Sequence, residues 1–451
     1  GGGAEMFAVH LTTGKLWLPA FNIGFGLSPT TLGILLFIFR AWDAISDPLM
    51  GHITDNTRSR WGRRRPWIVG GAVATGLCVA LLFRPDPAWG QAGMIAYIFV
   101  LGMLLFTAAT VWAMPFHSLL MELTPNYDER TRLSAVCALF SKGFGLINGW
   151  ALAIATGAWF INAATGEPDF VRGIQTISLI MGVVIVILGA LPGLFVRERF
   201  AHATTATPKE PFWKNFRETL TCRPLWLLNG IVFFNLLGLI STSGVGQYVN
   251  IYYVSEGKVA NAFLIEGYKE TAMFLVGILS IPLWVKVCER LDKKVTLAIV
   301  LFGTMLGHLL NFFCLNPEYP YLQIIPSVFW SGVSSAIWLI VPSMKMDVAD
   351  YDELDTHRRR EGSLNSLLSW CIKMGIALGV AMSGFLLDAT GFDVALGTTQ
   401  PPEVLRKLVL FYIFVPIALW IPTFYFLWRY PLNRTVMAEV RAKLEARRGS
   451  I

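Results

Sequence analysis

The chain is poor in charge. Asp, Glu, Lys and Arg make up 15% of its 451 residues, where soluble domains carry about a quarter. So little charge cannot cover a water-facing surface of this size, which argues against an ordinary soluble fold. The six cysteines, Cys78, Cys137, Cys222, Cys288, Cys314 and Cys371, include no CxxC pair, so isolated reduced thiols are expected. His10, His117 and His308 have no partners at metal-ligand spacing, and no transition metal is expected. No phosphate-binding glycine loop and no nucleophile–base motif occurs, which argues against an enzyme and against an organic cofactor. Basic residues are not interleaved with stacking aromatics, so the net charge of +7 is not a nucleic-acid signal. The first residues lack the basic region and cleavage site of a signal peptide.

What is present is apolar. Hydrophobic residues make up 54% of the chain, and the mean hydropathy is +0.55. About twelve runs are long enough to cross a ~30 Å hydrocarbon core. They lie near 3–25, 29–53, 67–84, 92–121, 132–163, 172–195, 225–254, 262–286, 295–315, 321–346, 363–388 and 404–429. Little chain is left for a soluble domain, which argues against a non-transporting membrane sensor. About 27 of the lysines and arginines fall in one alternating set of loops and the two chain ends, so that set is read as cytoplasmic. The expectation is a multi-pass protein of the plasma membrane (the inner membrane of a bacterium) with both termini cytoplasmic.

A polar connection with Pro208 and Pro211 divides the runs six and six. The expected organisation is all-α: a six-helix bundle over 1–196, a cytoplasmic loop over 197–224, a second six-helix bundle over 225–430 and a cytoplasmic tail over 431–451. Two pseudo-symmetric bundles with a cavity between them fit this layout. Within the loop, Phe212 to Arg217 reads either as a short amphipathic piece on the membrane surface or as plain linker. Asn433 to Arg448 reads either as an amphipathic basic helix or as a solvated tail.

Against this apolar background one cluster stands out. Arg40, Asp43 and Asp47 lie inside the run from Leu32 to Met50, and ionisable groups at that depth mark function by default. Their i, i+3, i+7 spacing puts them on one helix face. Two carboxylates one turn apart in a low dielectric repel, so they need a proton, a basic partner or a metal cation between them. That is the chemistry of a cation-coupled transporter. Purely structural aspartates, locked to a basic residue, are the alternative.

The loop from Gly51 to Trp67 fits G-x-x-x-D-x-x-x-x-x-x-G-R-R. It resembles the signature loop of the major facilitator superfamily, in a stretched form, which implies the major facilitator fold. Asp55 can hold a helix end while Arg58, Arg63 and their neighbours pair with acids of the other bundle, making a charged cytoplasmic clasp. A second cluster, Asp347, Asp350, Glu353 and Arg359 among further charges, is expected to pair across the bundle interface. Arg130 joins the same gate.

Three segments together resemble the glycoside–pentoside–hexuronide:cation symporter family, the melibiose permease-like branch of that superfamily. They are Arg40-x-Trp42-Asp43-Ala44-x-x-Asp47-Pro48 running into Thr57 to Gly62; Pro115-Phe116 through Glu122-Leu123-Thr124 and Asp128-Glu129-Arg130; and Asp347-x-x-Asp350-Tyr351-x-Glu353 with Arg359 and Lys373. The resemblance implies secondary active symport by alternating access, with Na⁺ or H⁺ as coupling ion. It implies a cation site at Asp43, Asp47, Ser46 and Thr110, with Lys373 close by and Arg40 in the same charge network. Thr110 could instead bond its own helix backbone, and Lys373 could be a counter-ion only.

The family's sugar-binding residues match less well. Phe7, Ala113, Ala138 and His117 stand at or near those positions, so two hydroxyl-binding acids are replaced; Glu5 is the acid of the first run. Trp338 matches a pocket tryptophan. Trp112, His117, Trp330 and Trp338 are candidates for stacking on a sugar ring, with packing as the alternative. Counting Lys15, Arg40, Lys142 and Lys373 against Asp43, Asp47 and Glu5 leaves a positive excess once a cation binds. An acidic glycoside such as a uronide would relieve it; alternatively Lys15 or Lys142 snorkels. The expected substrate is a glycoside or related sugar, with a lysolipid as runner-up because Phe7, Ala113 and Ala138 suit an acyl chain. The expected state is a monomer in the lipid bilayer.

Overall fold

The computed structural model describes residues 2–122, 127–162, 169–196, 222–356 and 361–448. Apolar runs and the need to satisfy every backbone group within lipid dictate helices, and the described residues form no sheet. Helix α1 is assembled from Gly2–Glu5, Met6–Lys15 and Pro19–Gly24. It is followed by α2 (Pro29–Asn56), α3 (Arg65–Leu82), α4 (Gly90–Glu122), α5 (Tyr127–Ala155) and α6 (Phe170–Phe195). Next come α7 (Arg223–Ser241, continued by Ser243–Tyr248 and Val249–Val254), α8 (Val259–Arg290) and α9 (Lys293–Leu309). The series ends with α10 (Ile324–Ser334 and Ile337–Thr356), α11 (Glu361–Ala389), α12 (Pro402–Arg429) and the tail helix α13 (Arg434–Arg448).

Among the described residues, nine of these helices are long and apolar enough to cross a membrane on length and composition alone. Of the other four, α13 is the polar tail helix, and the remaining three fall short for identifiable reasons. Helix α1 is broken into pieces, α2 carries Arg40, Asp43 and Asp47, and in α5 the apolar stretch among the described residues is Gly143–Ala155. Prolines sit inside several helices, among them Pro115, Pro192, Pro282 and Pro342, as membrane helices with neighbouring partners tolerate.

Parts of α1 are wound as wider π turns. Leu16 N–H reaches the Leu11 carbonyl five residues back at 3.0 Å, and the Thr12 hydroxyl does the same to Phe7. Such turns gather at functional sites.

The chain forms two compact units. The first gathers Gly1–Thr205, Asn250–Glu270 and Leu387–Val404; the second gathers Ala206–Val249, Thr271–Leu386 and Leu405–Ile451. In the first, α3 and α6 touch backbone to backbone through Gly76 and Gly182, each leaving room only for the other's carbonyl, as small residues permit in membrane packing. In the second, a core runs from Leu225 and Leu228 through Leu297, Ile340 and Leu364. It continues into the tail: Met437, Val440 and Leu444, spaced i, i+3, i+7, bury one stripe of α13 in it. The tail helix is therefore docked on its unit and is not a solvated tail.

Candidate functional site

The site is built on α2. Ser28 caps its start, accepting from Thr31 N at 3.4 Å, and Pro29 occupies the first turn. The helix then runs unbroken for 28 residues. Asp43 and Asp47 are one turn apart on it, facing α4 at Thr110. The indole of Trp42 fixes the neighbouring turn by donating to Thr107 Oγ1 at 2.9 Å.

Thr110 is the meeting point. Its Oγ1 is 3.0 Å from Asp43 Oδ1, 3.3 Å from Asp47 Oδ1 and 3.2 Å from Ser46 Oγ. Thr110 and Ser46 are buried, at 3% and 7% exposure, while both aspartates are half-buried. A hydroxyl owns one hydrogen and can give it to one acceptor. The Thr110 hydroxyl can accept from Ser46 and donate to one aspartate, which leaves its contact with the other aspartate without a hydrogen. A proton on that carboxylate, or a hard cation among the oxygens, would satisfy the remaining contact. The four residues expected to hold a cation thus meet in one place. Thr110 turns its hydroxyl to α2 rather than to its own helix backbone.

Arg40, one turn before Asp43, donates from Nη2 to Thr13 Oγ1 of α1 at 3.2 Å, and its guanidinium stands over the Phe106 ring at 5.3 Å. Lys373 lies on α11, in the second unit.

Two turns along α4 from Thr110, and on the same face, His117 Nε2 lies 3.3 Å from Glu5 Oε2 of α1. Both side chains are partly exposed, and Glu5 is the acid of the first apolar run. Trp112 does something else. It is wholly buried, packs on Gly71 and Gly189, and donates its indole N–H to the Gly189 carbonyl at 3.1 Å. It cements α3, α4 and α6, so the substrate contact expected of it gives way to packing. Trp338 is 64% exposed on α10.

Lys15 corrects a further expectation. Its ammonium is 2.7 Å from Glu266 Oε1 and 2.5 Å from Glu270 Oε1, and Lys269 also pairs with Glu266. It is therefore not a lone positive charge. Adding Glu266, Glu270 and Lys269 to the count reduces the positive excess that a bound cation leaves, and so weakens the charge argument for an anionic substrate. Sequence reasoning missed this cluster although the signal was there. Glu266, Lys269 and Glu270 sit at i, i+3, i+4 in an apolar run, the same pattern that singled out Arg40 and Asp43.

In the signature loop, Gly62 has a φ of +110°, open to glycine alone without strain. Ser59 shapes the turn by donating to the Gly62 carbonyl at 2.6 Å. Arg65 donates to the carbonyls of Gly193 and Leu194 at 2.6 and 2.7 Å, closing the end of α6. Arg58 is exposed and Arg63 half-buried. Arg359 lies outside the described residues, as do the side chains of Asp55, Arg130 and Lys142 and the segment Phe212 to Arg217.

The described partners of Asp347 correct the expected clasp at that residue. Its carboxylate is 2.5 Å from Lys293 Nζ and 3.3 Å from Arg441 Nη2, both in its own unit. It ties α9 and the tail to α10. Asp350 and Glu353 follow half-buried on the same helix. Close by, burial pushes the Tyr430 phenol above its ordinary range, with the charges of Asp347 and Asp292 adding to the effect.

Residues 9–434 match the family described as MFS/sugar transport protein. The chain belongs to that family. This MFS/sugar transport protein is 26% identical to an Escherichia coli (strain K12) protein provisionally named glycoside/cation symporter YagG, over 91% of this chain and 85% of that one. It is 25% identical to the glucuronide carrier protein homolog of the same organism, over 94% and 89%. The crystal structure of a bacterial homolog to the human lysosomal transporter Spinster shares the twelve-helix fold. The TM-score is 0.67 at 15% identity, covering 98% of this chain and 96% of that one. Membership of the glycoside–pentoside–hexuronide:cation symporter group, expected from the motifs, is upheld, and the protein is a transporter, not an enzyme.

Proposed function

We propose that this member moves a glycoside by symport with Na⁺ bound at Asp43, Asp47, Ser46 and Thr110. The observation that carries the reading is the convergence of three side-chain oxygens, from Asp43, Asp47 and Ser46, on the Thr110 hydroxyl. A proton would need one carboxylate and one acceptor, whereas a hard metal cation uses the whole set. Ion binding relieves carboxylate repulsion on α2. The sugar hydroxyls are then taken by Glu5 and His117, on the face of α4 that also carries Thr110, so each ligand raises the affinity of the other. Relatives named for glycoside/cation symport and for glucuronide carriage support the substrate class. In the same reading the protein is monomeric, its termini are cytoplasmic, and Asp55, Arg58, Arg63, Arg130, Asp350, Glu353 and Arg359 serve the cytoplasmic gate. Lys142, Lys373 and Trp338 serve the cavity.

The test is uptake into proteoliposomes under an inward Na⁺ gradient, with a panel of neutral glycosides, uronides and lysolipids. Asp47→Cys is expected to abolish uphill accumulation. Full accumulation in that variant removes the mechanism, and accumulation driven by a pH gradient but not by Na⁺ assigns the site to a proton.

A further inference from the structure

The functional site leaves one buried ionic cluster unused. Lys15 sits where the first π-wound stretch of α1 ends, next to the bend at Leu16. It binds both Glu266 and Glu270 of α8, and Lys269 supports Glu266 from within the same helix. Glu266 is buried, and Lys15 and Glu270 are about three-quarters covered. Structural packing alone does not call for four charges here. The same segment already has apolar anchors: Phe263 stacks on Phe170 at 5.7 Å, and Tyr268 meets Trp150 edge-on at 5.3 Å. Placing charges in such a spot is costly unless they are paired. A paired set is therefore a contact that can be undone at a defined place.

Two further observations give the cluster a task. Helix α8 passes from one compact unit to the other after Glu270, so the ion pairs hold the last part of it that belongs to the first unit. The neighbouring segment is fastened in the same way. Asp388, at the end of α11, accepts from Thr30 N at 3.1 Å and from Ser28 Oγ at 3.3 Å, at the head of the ion-binding helix α2. Ser28 and Thr30 stand at the end of α2 opposite the basic loop that follows Asn56. Moreover, Thr13, two residues before Lys15, accepts the bond from Arg40, which is one turn from Asp43.

We propose that Lys15, Glu266 and Glu270 form a charge latch that fastens Asn250–Glu270 to α1, and that the Arg40–Thr13 bond makes this latch respond to the ion at Asp43 and Asp47. The latch stands on the ion pairs themselves. Its response to the ion rests on the cation site proposed above. A coupled route of this kind needs a measured interaction, not mere adjacency.

The experiment is amide hydrogen exchange by mass spectrometry on the full chain in nanodiscs. Lys15→Met is expected to speed exchange over 259–270 about tenfold by removing the partner of two carboxylates, while 434–448 is unchanged. Lys15→Arg keeps the protection. Unchanged exchange in Lys15→Met, or equal loss in Lys15→Arg, overturns the latch. Should Lys15→Met loosen 434–448 as well, Glu270→Gln is read in its place, and it must speed exchange over 259–270 alone. For the ion, NaCl is compared with choline chloride at fixed pH. Na⁺ is expected to shift exchange over 259–270 in the parent protein and not in Thr13→Val. An identical shift in Thr13→Val, or no shift where Na⁺-driven uptake persists, overturns the link. Absence of both the shift and Na⁺-driven uptake removes the cation site itself.

Discussion

Thr110→Val is the sharpest probe of the cation site. Valine keeps the shape and removes the one oxygen that touches Asp43, Asp47 and Ser46 at 3.0, 3.3 and 3.2 Å. A hydrogen bond to a charged group contributes about 1.5–3 kcal/mol. With about 1.4 kcal/mol per tenfold, the concentration of Na⁺ that half-saturates substrate binding should rise roughly 10- to 100-fold. Reciprocity then requires the sugar affinity at low Na⁺ to fall, while at saturating Na⁺ it recovers. Thr110→Ser retains the oxygen and should stay within a few-fold of the parent. The assay is glycoside binding titrated with Na⁺ at fixed pH in detergent or nanodiscs. An unchanged Na⁺ requirement in Thr110→Val would refute the reasoning, because the oxygen on which the arrangement converges would then not be a ligand. A drop in sugar affinity that saturating Na⁺ does not rescue would place Thr110 in the sugar site instead.

Two stability predictions follow from the packing. The Tyr430 hydroxyl is buried with no hydrogen-bond partner among the described residues. Tyr430→Phe should therefore raise the thermal midpoint or leave it unmoved, by up to about 1 kcal/mol; a clear loss of stability would mean that the hydroxyl has a partner. Gly76→Val drives a side chain into the Gly182 carbonyl and should destabilise by about 1–3 kcal/mol. Gly14→Ala, with open space around it, is the matched control, and equal melting of the two variants would contradict the close α3–α6 contact.

The reading from sequence went furthest where the cost of a residue type is extreme. Charges within a run meant for lipid identified Arg40, Asp43 and Asp47, and the family motifs added Ser46 and Thr110. It failed where one residue type has two uses. Trp112 is as apolar and aromatic as a sugar-stacking residue, yet its indole fills a backbone-lined slot against Gly71 and Gly189. Lys15 looked isolated because its partners are about 250 residues away, and distance along the chain hides a contact of 2.5 Å. Asp347 was assigned to a clasp between bundles because opposite charges cluster near it in sequence. Its described partners come instead from α9 and the tail.

The sequence by itself determined that this protein lives in a membrane as a set of helices, because apolar length and missing charge permit nothing else. It also singled out the two acids of α2, Asp43 and Asp47, because charge inside a run meant for lipid is costly. Only the tertiary structure decided which oxygens meet at Thr110, that Glu5 finds His117, and that Lys15 is neutralised by α8. Each of those depends on the rotation and register of one helix against another. That is set by side-chain packing and glycine contacts, which no single run of sequence records.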